Sequence, residues 1–284
     1  MRLTFSSLFI FAIAALVSAD GVSFNPPSDT LKPIPITSTT NSVRPIVGRM
    51  TNARRLAMGL LPLKPKASRH GTRAASAPRS NPSMSPPVPT GCNILVKSAT
   101  ETFGYIKPQW NGFGEYGVFQ ADQAGALEVT FNASPDVASA ELDFTVINTP
   151  STTYPYFGAI SGFASQSNDF GPGSYNYAYL GGTTQTPSGS PPSDTGDNSF
   201  TAATGIPETI ESAIWTYDPT TQAITAQWIN TDGSSPATHI IYANDTNQAL
   251  TITGDVATLQ ATFGAPYPEV TFTCVPPVSS QTPA

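Results

Sequence analysis

From residue 92 to residue 275, apolar and polar side chains alternate in short runs with a period of two. Leu127, Val129 and Phe131 alternate with Glu128 and Thr130, and Leu142, Phe144 and Val146 with Glu141, Asp143 and Thr145. Ile224, Ala226 and Trp228 alternate with Thr225 and Gln227, Thr238, Ile240 and Tyr242 with His239 and Ile241, and Leu250 and Ile252 with Thr251 and Thr253. Successive side chains of a strand point to opposite faces, so each run predicts a strand with one inward face. Turn chemistry separates the runs at Asp218-Pro219, Asp232-Gly233, Asn244-Asp245 and Gly254-Asp255. About twelve such strands and no sustained helical stripe predict an all-β fold, an antiparallel β-sandwich of jelly-roll or lectin-like type over residues 92–276. The run from Trp215 to Thr253 reads as a meander joined by short turns. No fixed-period repeat is present, which excludes a propeller or solenoid.

The chain has two cysteines, and they frame this domain. Cys92 shares a strand face with Ile94 and Val96, and Cys274 shares one with Val270 and Phe272. A lone pair of cysteines in an exported chain is most simply one disulfide. The first and last strands are therefore expected side by side in a sheet or facing one another across a sandwich.

The N-terminus has a different character. Arg2 precedes an apolar run from Phe5 to Val17, and Val17-Ser18-Ala19 supplies small residues for cleavage, so residues 1–19 read as a secretory signal peptide. Residues 20–91 hold 12 of the 28 prolines and read as a disordered, basic, Pro-rich leader without a packed core. Arg54-Arg55 is a dibasic pair of the kind processing proteases cut, so the leader is a candidate propeptide. Residues 277–284 read as a disordered tail. No later segment has the roughly 18 consecutive apolar residues of a membrane span, so a secreted, extracellular product is expected.

Charge follows the same division. The net charge of −6 is the sum of +9 on residues 1–91 and −15 on residues 92–284, and no Lys or Arg follows Lys107. An acidic folded domain excludes nucleic acid and acidic lipid as partners. The oligomeric state is not encoded in any visible pattern.

Candidate chemistry is sparse. His239 is the domain's single histidine, and no Gly-x-Ser-x-Gly elbow accompanies it. No His or Cys metal cluster, EF-hand loop or cofactor motif is present, although Asp194, Asp197, Asn198, Asp232 and Asp245 offer oxygen ligands in loops. Glu141 and Asp143 are the weak catalytic candidates. Glu141-Leu142-Asp143-Phe144 resembles the start of the Glu-x-Asp-x-Glu signature of jelly-roll β-glucanases, with Thr145 at the third acidic position. The layout of leader and acidic β-domain is similar to that of fungal glutamic peptidases, without their motifs. Aromatics carry the stronger binding signal. Tyr175, Tyr177 and Tyr179 fall on one strand face ahead of a Gly/Pro/Ser-rich loop, residues 181–199. Trp110, Phe113 and Tyr116 lie among glycines, and Tyr154-Pro155-Tyr156 precedes another strand. Flat aromatic faces stack on sugar rings. Asn132-Ala133-Ser134 and Asn244-Asp245-Thr246 are N-glycosylation acceptors at Asn132 and Asn244.

Ser212-Ala213-Ile214-Trp215-Thr216-Tyr217-Asp218-Pro219 and Gln227-Trp228-Ile229-Asn230-Thr231-Asp232-Gly233-Ser234, behind the leader with Ala53 to Leu60, resemble the uncharacterised secreted proteins of mushroom-forming (agaricomycete) fungi. That resemblance implies secretion and the leader-plus-β-domain layout, and no activity. The expectation from sequence is a non-catalytic binding module for a neutral glycan or cell-wall polysaccharide, using Trp110, Tyr175, Tyr177 and Tyr179. The alternatives are a paired-carboxylate hydrolase and a structural cell-wall surface protein.

Overall fold

The computed structural model describes residues 22–33, 85–193 and 197–278. The signal peptide, Arg54-Arg55, Asp194 and residues 279–284 lie outside them. Fourteen strands follow one another: β1 (Val88–Ser98), β2 (Thr102–Ile106), β3 (Phe119–Gln120), β4 (Glu128–Ala133), β5 (Ser139–Leu142), β6 (Thr145–Val146) and β7 (Tyr156–Ser161). After them come β8 (Tyr177–Thr183), β9 (Ile210–Glu211), β10 (Trp215–Tyr217), β11 (Ala223–Ala226), β12 (His239–Ala243), β13 (Ala249–Thr253) and β14 (Val270–Val275). Two short helices interrupt them, α1 (Ser199–Thr204) and α2 (Val256–Phe263).

The fold is nearly all β, one large antiparallel sheet curled into a half-barrel. Its order is β12-β13-β8-β7-β6-β4-β1-β14-β11-β10-β5, with β2 joining β1 to β3 and β9 paired to β7. The curl brings the edge strand β5 against β4, five places along the order. The first and last strands do lie side by side: Ile94 pairs with Cys274 and Val96 with Phe272. The Cys92–Cys274 disulfide spans this pair, with Cα atoms 5.1 Å apart. The expected meander is broken, however. β10 and β11 form one hairpin and β12 and β13 another, but β11 pairs with β14 and the two hairpins stand far apart in the sheet order.

Alternation explains why β7, β8, β12 and β13 carry so few exposed residues. Phe157, Ala178, Leu180, Ile240, Tyr242, Leu250 and Ile252 point into one core. The intervening Ile160, Tyr177, Tyr179, Ile241, Ala243 and Ala249 point into a second. Strands buried on both faces have no solvent side to mark with polar residues. The first core contains a run of stacked rings. Phe131 stacks on Phe144 at 4.3 Å between centroids, Phe144 on Trp215 at 5.2 Å and Trp215 on Phe157 at 4.9 Å. The Trp215 indole N–H donates to the Phe157 carbonyl at 2.5 Å, so the one polar atom of the buried ring is satisfied.

The second core is closed by α1, α2 and the N-terminal residues. Asn198 caps α1 by accepting from the Thr201 N–H, and Asp255 caps α2 by accepting from Thr258. Gly205 and Gly264 end these helices in left-handed conformation. Phe200 and Leu259 reach down into the core. Two sequence boundaries therefore change. β1 begins at Val88, four residues ahead of Cys92, and within the leader Phe24, Asn25 and Pro26 are buried. A single aromatic residue in a proline-rich stretch finds an aromatic cavity elsewhere in the chain, which composition alone does not reveal.

Candidate functional site

Two regions bring chemistry together. The first is an open cleft of about 380 Å³ lined by Glu141, Asp143, Asn132, Thr130, Tyr156 and Gln185, among others. Strand pairing builds it. β6 follows Asp143 and pairs with β7 through Thr145 and Tyr156, which brings Tyr156 beside the two acids. β8 pairs with β7 and runs out through Thr183 toward Gln185. Gln185 Nε2 donates to Asp143 Oδ2 at 2.6 Å, and the Ser212 hydroxyl donates to Asp143 Oδ1 at 2.6 Å. The Ser188 hydroxyl donates to Glu141 Oε2 at 2.6 Å. Glu141 has φ = 54°, a left-handed conformation that costs a non-glycine residue about 1 kcal/mol and turns its carboxylate toward the Ser188-Gly189 loop. Burial and the nearby Asp143 carboxylate push the half-buried Tyr156 hydroxyl above its ordinary pKa, so it stays a neutral donor. The cleft thus offers the half-exposed Tyr156 ring beside the buried Phe131, two oriented carboxylates and two side-chain amides.

The second region is the pocket beneath the N-terminal segment. Tyr177 and Tyr179, two residues apart on β8, present both hydroxyls to the carbonyl oxygen of Phe24, each at 2.6 Å. The Phe24 ring stacks on Tyr177 at 4.6 Å and meets Tyr179, Phe263 and Tyr267 edge-on. Asn25 Nδ2 lies 3.3 Å from Glu115 Oε2 and 3.2 Å from Asn247 Oδ1. Glu115 is fully buried, and desolvation raises its pKa from 4.5 to about 8 despite bonds from Asn111 and Asn25. Its Oε1 and the Asn25 Oδ1 have no hydrogen-bond partner. The turn that carries Glu115 needs Gly114, at φ = 85°, where an added Cβ would come 2.4 Å from the Ser199 carbonyl oxygen.

This geometry corrects the aromatic platform expected from sequence. Tyr177 and Tyr179 are buried, and Phe24 covers them, so they form no open face while that segment is in place. Tyr175 precedes β8 and packs edge-on against Phe263 at 6.1 Å. Trp110 is half-buried between Tyr116 and Tyr154, directly over Gly182, and borders an apolar cleft of about 520 Å³ shared with Leu31, Pro33 and Pro150. The 181–199 stretch is not one open loop, because Gly181 to Thr183 belong to β8 and Thr186 and Asn198 are buried.

Other candidates have ordinary roles. His239 Nδ1 pairs with Glu269 Oε1 at 2.7 Å on the surface. Asp232 bonds the Ser234 N–H in a turn, and Asp245 accepts from Asn247 and from the Tyr267 hydroxyl. Asp197 takes part through its backbone carbonyl, which accepts from Thr184. Among the described residues no group of three His, Cys, Asp or Glu side chains gathers as metal ligands, and no helix is long and apolar enough to cross a membrane. Asn132 and Asn244 are both exposed.

Glu115 and Glu211 escape a reading by residue type. Glu211 is 3% exposed on β9, and desolvation raises its pKa to about 9 even though both its oxygens lie within reach of the Ile229 N–H. The signal for each was its setting: Glu115 among glycines and aromatics, Glu211 beside Ile210. Comparison with known proteins found no matching family model, no matching curated protein and no matching solved structure.

Proposed function

We propose that the protein is a secreted, non-catalytic binding module that takes a neutral carbohydrate in the cleft of Tyr156, Gln185, Asp143 and Glu141. The observation that carries this reading is the pairing of one half-exposed aromatic ring with carboxylate and amide groups that are already oriented by Ser212, Ser188 and one another. A sugar ring offers an apolar face to the tyrosine and hydroxyls to the acceptors, and oriented acceptors lose little freedom on binding. Lys97 and Lys107, the domain's two basic residues, are not among the cleft's lining residues, which disfavours anionic ligands. The disulfide supports an extracellular setting, and the resemblance to secreted fungal proteins agrees with it. A glycan on Asn244 belongs to the same proposal, whereas one on Asn132 would itself occupy the cleft that Asn132 lines.

The test is a neutral-glycan array followed by calorimetry on the best ligand. Tyr156→Ala is expected to weaken binding at least about tenfold, the loss of one stacking contact. An array without hits, or affinity unchanged in that variant, contradicts the reading.

One observation favours a second reading, an acid hydrolase: Glu141 and Asp143 line the same cleft. Under that reading the glycan is cut on incubation, and Glu141→Gln stops cutting while leaving binding intact.

A further inference from the structure

The N-terminal segment is held in the manner of a ligand. It forms none of the fourteen strands. Its attachments include one aromatic side chain in a four-ring cavity, one carbonyl between two tyrosine hydroxyls, one asparagine amide between Glu115 and Asn247, and the Lys32 N–H donated to the Ala203 carbonyl at 2.6 Å. On both sides of the buried Phe24-Asn25-Pro26 the segment is exposed, at Val22-Ser23 and at Pro27 to Asp29. Two phenolic hydroxyls converging on one backbone oxygen recognise a peptide group, because shape filling alone would need only the rings. They are neutral donors held in a dry site, since Tyr177 and Tyr179 are buried and desolvation raises both pKa values. At its far end the segment lines the apolar cleft beside Trp110 through Leu31, Lys32 and Pro33.

The domain's own disulfide does not tie the segment down, because both cysteines lie on β1 and β14. Only the main chain through residues 34–84 retains it, and the dibasic Arg54-Arg55 lies there.

We propose that the pocket of Tyr177, Tyr179, Phe263, Tyr267, Glu115 and Asn247 is a peptide-binding site, that residues 22–33 of this chain are its built-in occupant, and that peptides carrying an aromatic residue followed by Asn and Pro compete for it. The aromatic side chain enters the ring cavity, its carbonyl takes both tyrosine hydroxyls, and the asparagine amide meets Glu115 and Asn247. While the segment is tethered, its effective concentration is on the order of millimolar, which keeps outside peptides away. A cut within residues 34–84 turns the occupant into an exchangeable one. This site is separate from the Tyr156 cleft, so its test is independent of the glycan reading.

The experiment uses the full chain with a sequence-specific protease site inserted between residues 60 and 70, folded first and cut afterwards. The probe is a fluorescein-labelled peptide with the sequence of residues 22–33, followed by anisotropy. The uncut chain is expected to ignore micromolar probe. The cut chain is expected to bind it saturably and release its own N-terminal fragment, with affinity lowered at least about tenfold by Tyr177→Phe with Tyr179→Phe. A probe with Ala in place of the phenylalanine is expected not to bind. If the cut chain aggregates, the uncut Phe24→Ala chain gives the same reading: saturable probe binding supports the site and none overturns it. A cut, folded chain that loses its fragment without taking up the probe overturns the proposal, as does a fragment that excess probe never displaces. A dimer that dissociates on adding the probe assigns the pocket to the segment of a second copy and overturns the intrachain assignment.

Discussion

Replacing Glu115 with glutamine should remove a loss of stability that sets in between acid and neutral pH. The buried carboxyl has a pKa of about 8 in the folded chain against an ordinary 4.5. Its raised value means that the folded state holds a proton the unfolded state has released. Stability from this group is fully present below pH 4.5 and falls as pH rises toward 8, where the loss levels off. At 1.36 kcal/mol per unit, the loss amounts to about 3 kcal/mol by pH 7 and about 5 kcal/mol above pH 8. Glutamine keeps the oxygen that accepts from Asn111 at 2.7 Å and does not titrate. The amide carries two N–H donors where the protonated carboxyl carries one O–H, at a place where Oε1 has no partner, and the cost of the extra donor is the same at every pH. Urea unfolding from pH 4 to pH 9 checks this. Relative to wild type, the variant should gain about 3 kcal/mol between pH 4 and pH 7. A constant difference at every pH, or parallel pH profiles, would refute the claim that Glu115 is folded in its neutral form.

The remaining predictions concern the same framework. Glu211→Gln should flatten the pH profile in the same direction, with the wild-type loss extending to about pH 9, as the pKa of that carboxyl requires, and the same urea series reads it. Replacing Cys92 and Cys274 together with serine opens a closure of 182 residues, expected to cost about 5 kcal/mol in non-reducing urea unfolding. Trp215→Ala removes the middle ring of the Phe144–Trp215–Phe157 stack, expected to cost about 3–5 kcal/mol, with a collapsed thermal midpoint as the readout.

Much of the sheet was legible because one face of it is ordinary. Cys92, Ile94 and Val96 alternate with more exposed neighbours along most of β1, and Val270, Phe272 and Cys274 do so on β14, so both the strands and their pairing followed from period two. β12 and β13 were legible as strands but not in depth. Thr251 and Thr253 read as an outer face, yet both are fully buried against the second core. Part of what covers that core arrives from residues 22–33, far upstream, and no local pattern carries such a contact. α2 was invisible because Leu259 is its one buried residue, too little for a stripe. At the cleft, Glu141 and Asp143 stood out as a pair, and Tyr156 stood out as an aromatic. Their meeting depends on the β6–β7 pairing and on the Gln185–Asp143 hydrogen bond, which are tertiary facts. Glu115 was hidden by residue type, since a carboxylate reads as surface until burial neutralises it.

The cleft is tested most directly by titrating the folded chain with neutral oligosaccharides while following its backbone amide resonances. Binding at the proposed place shifts Thr145, Tyr156 and Gln185 together, saturably, and the shifts vanish in Tyr156→Ala. Saturable shifts confined to other strands, or none with any neutral glycan, would contradict it.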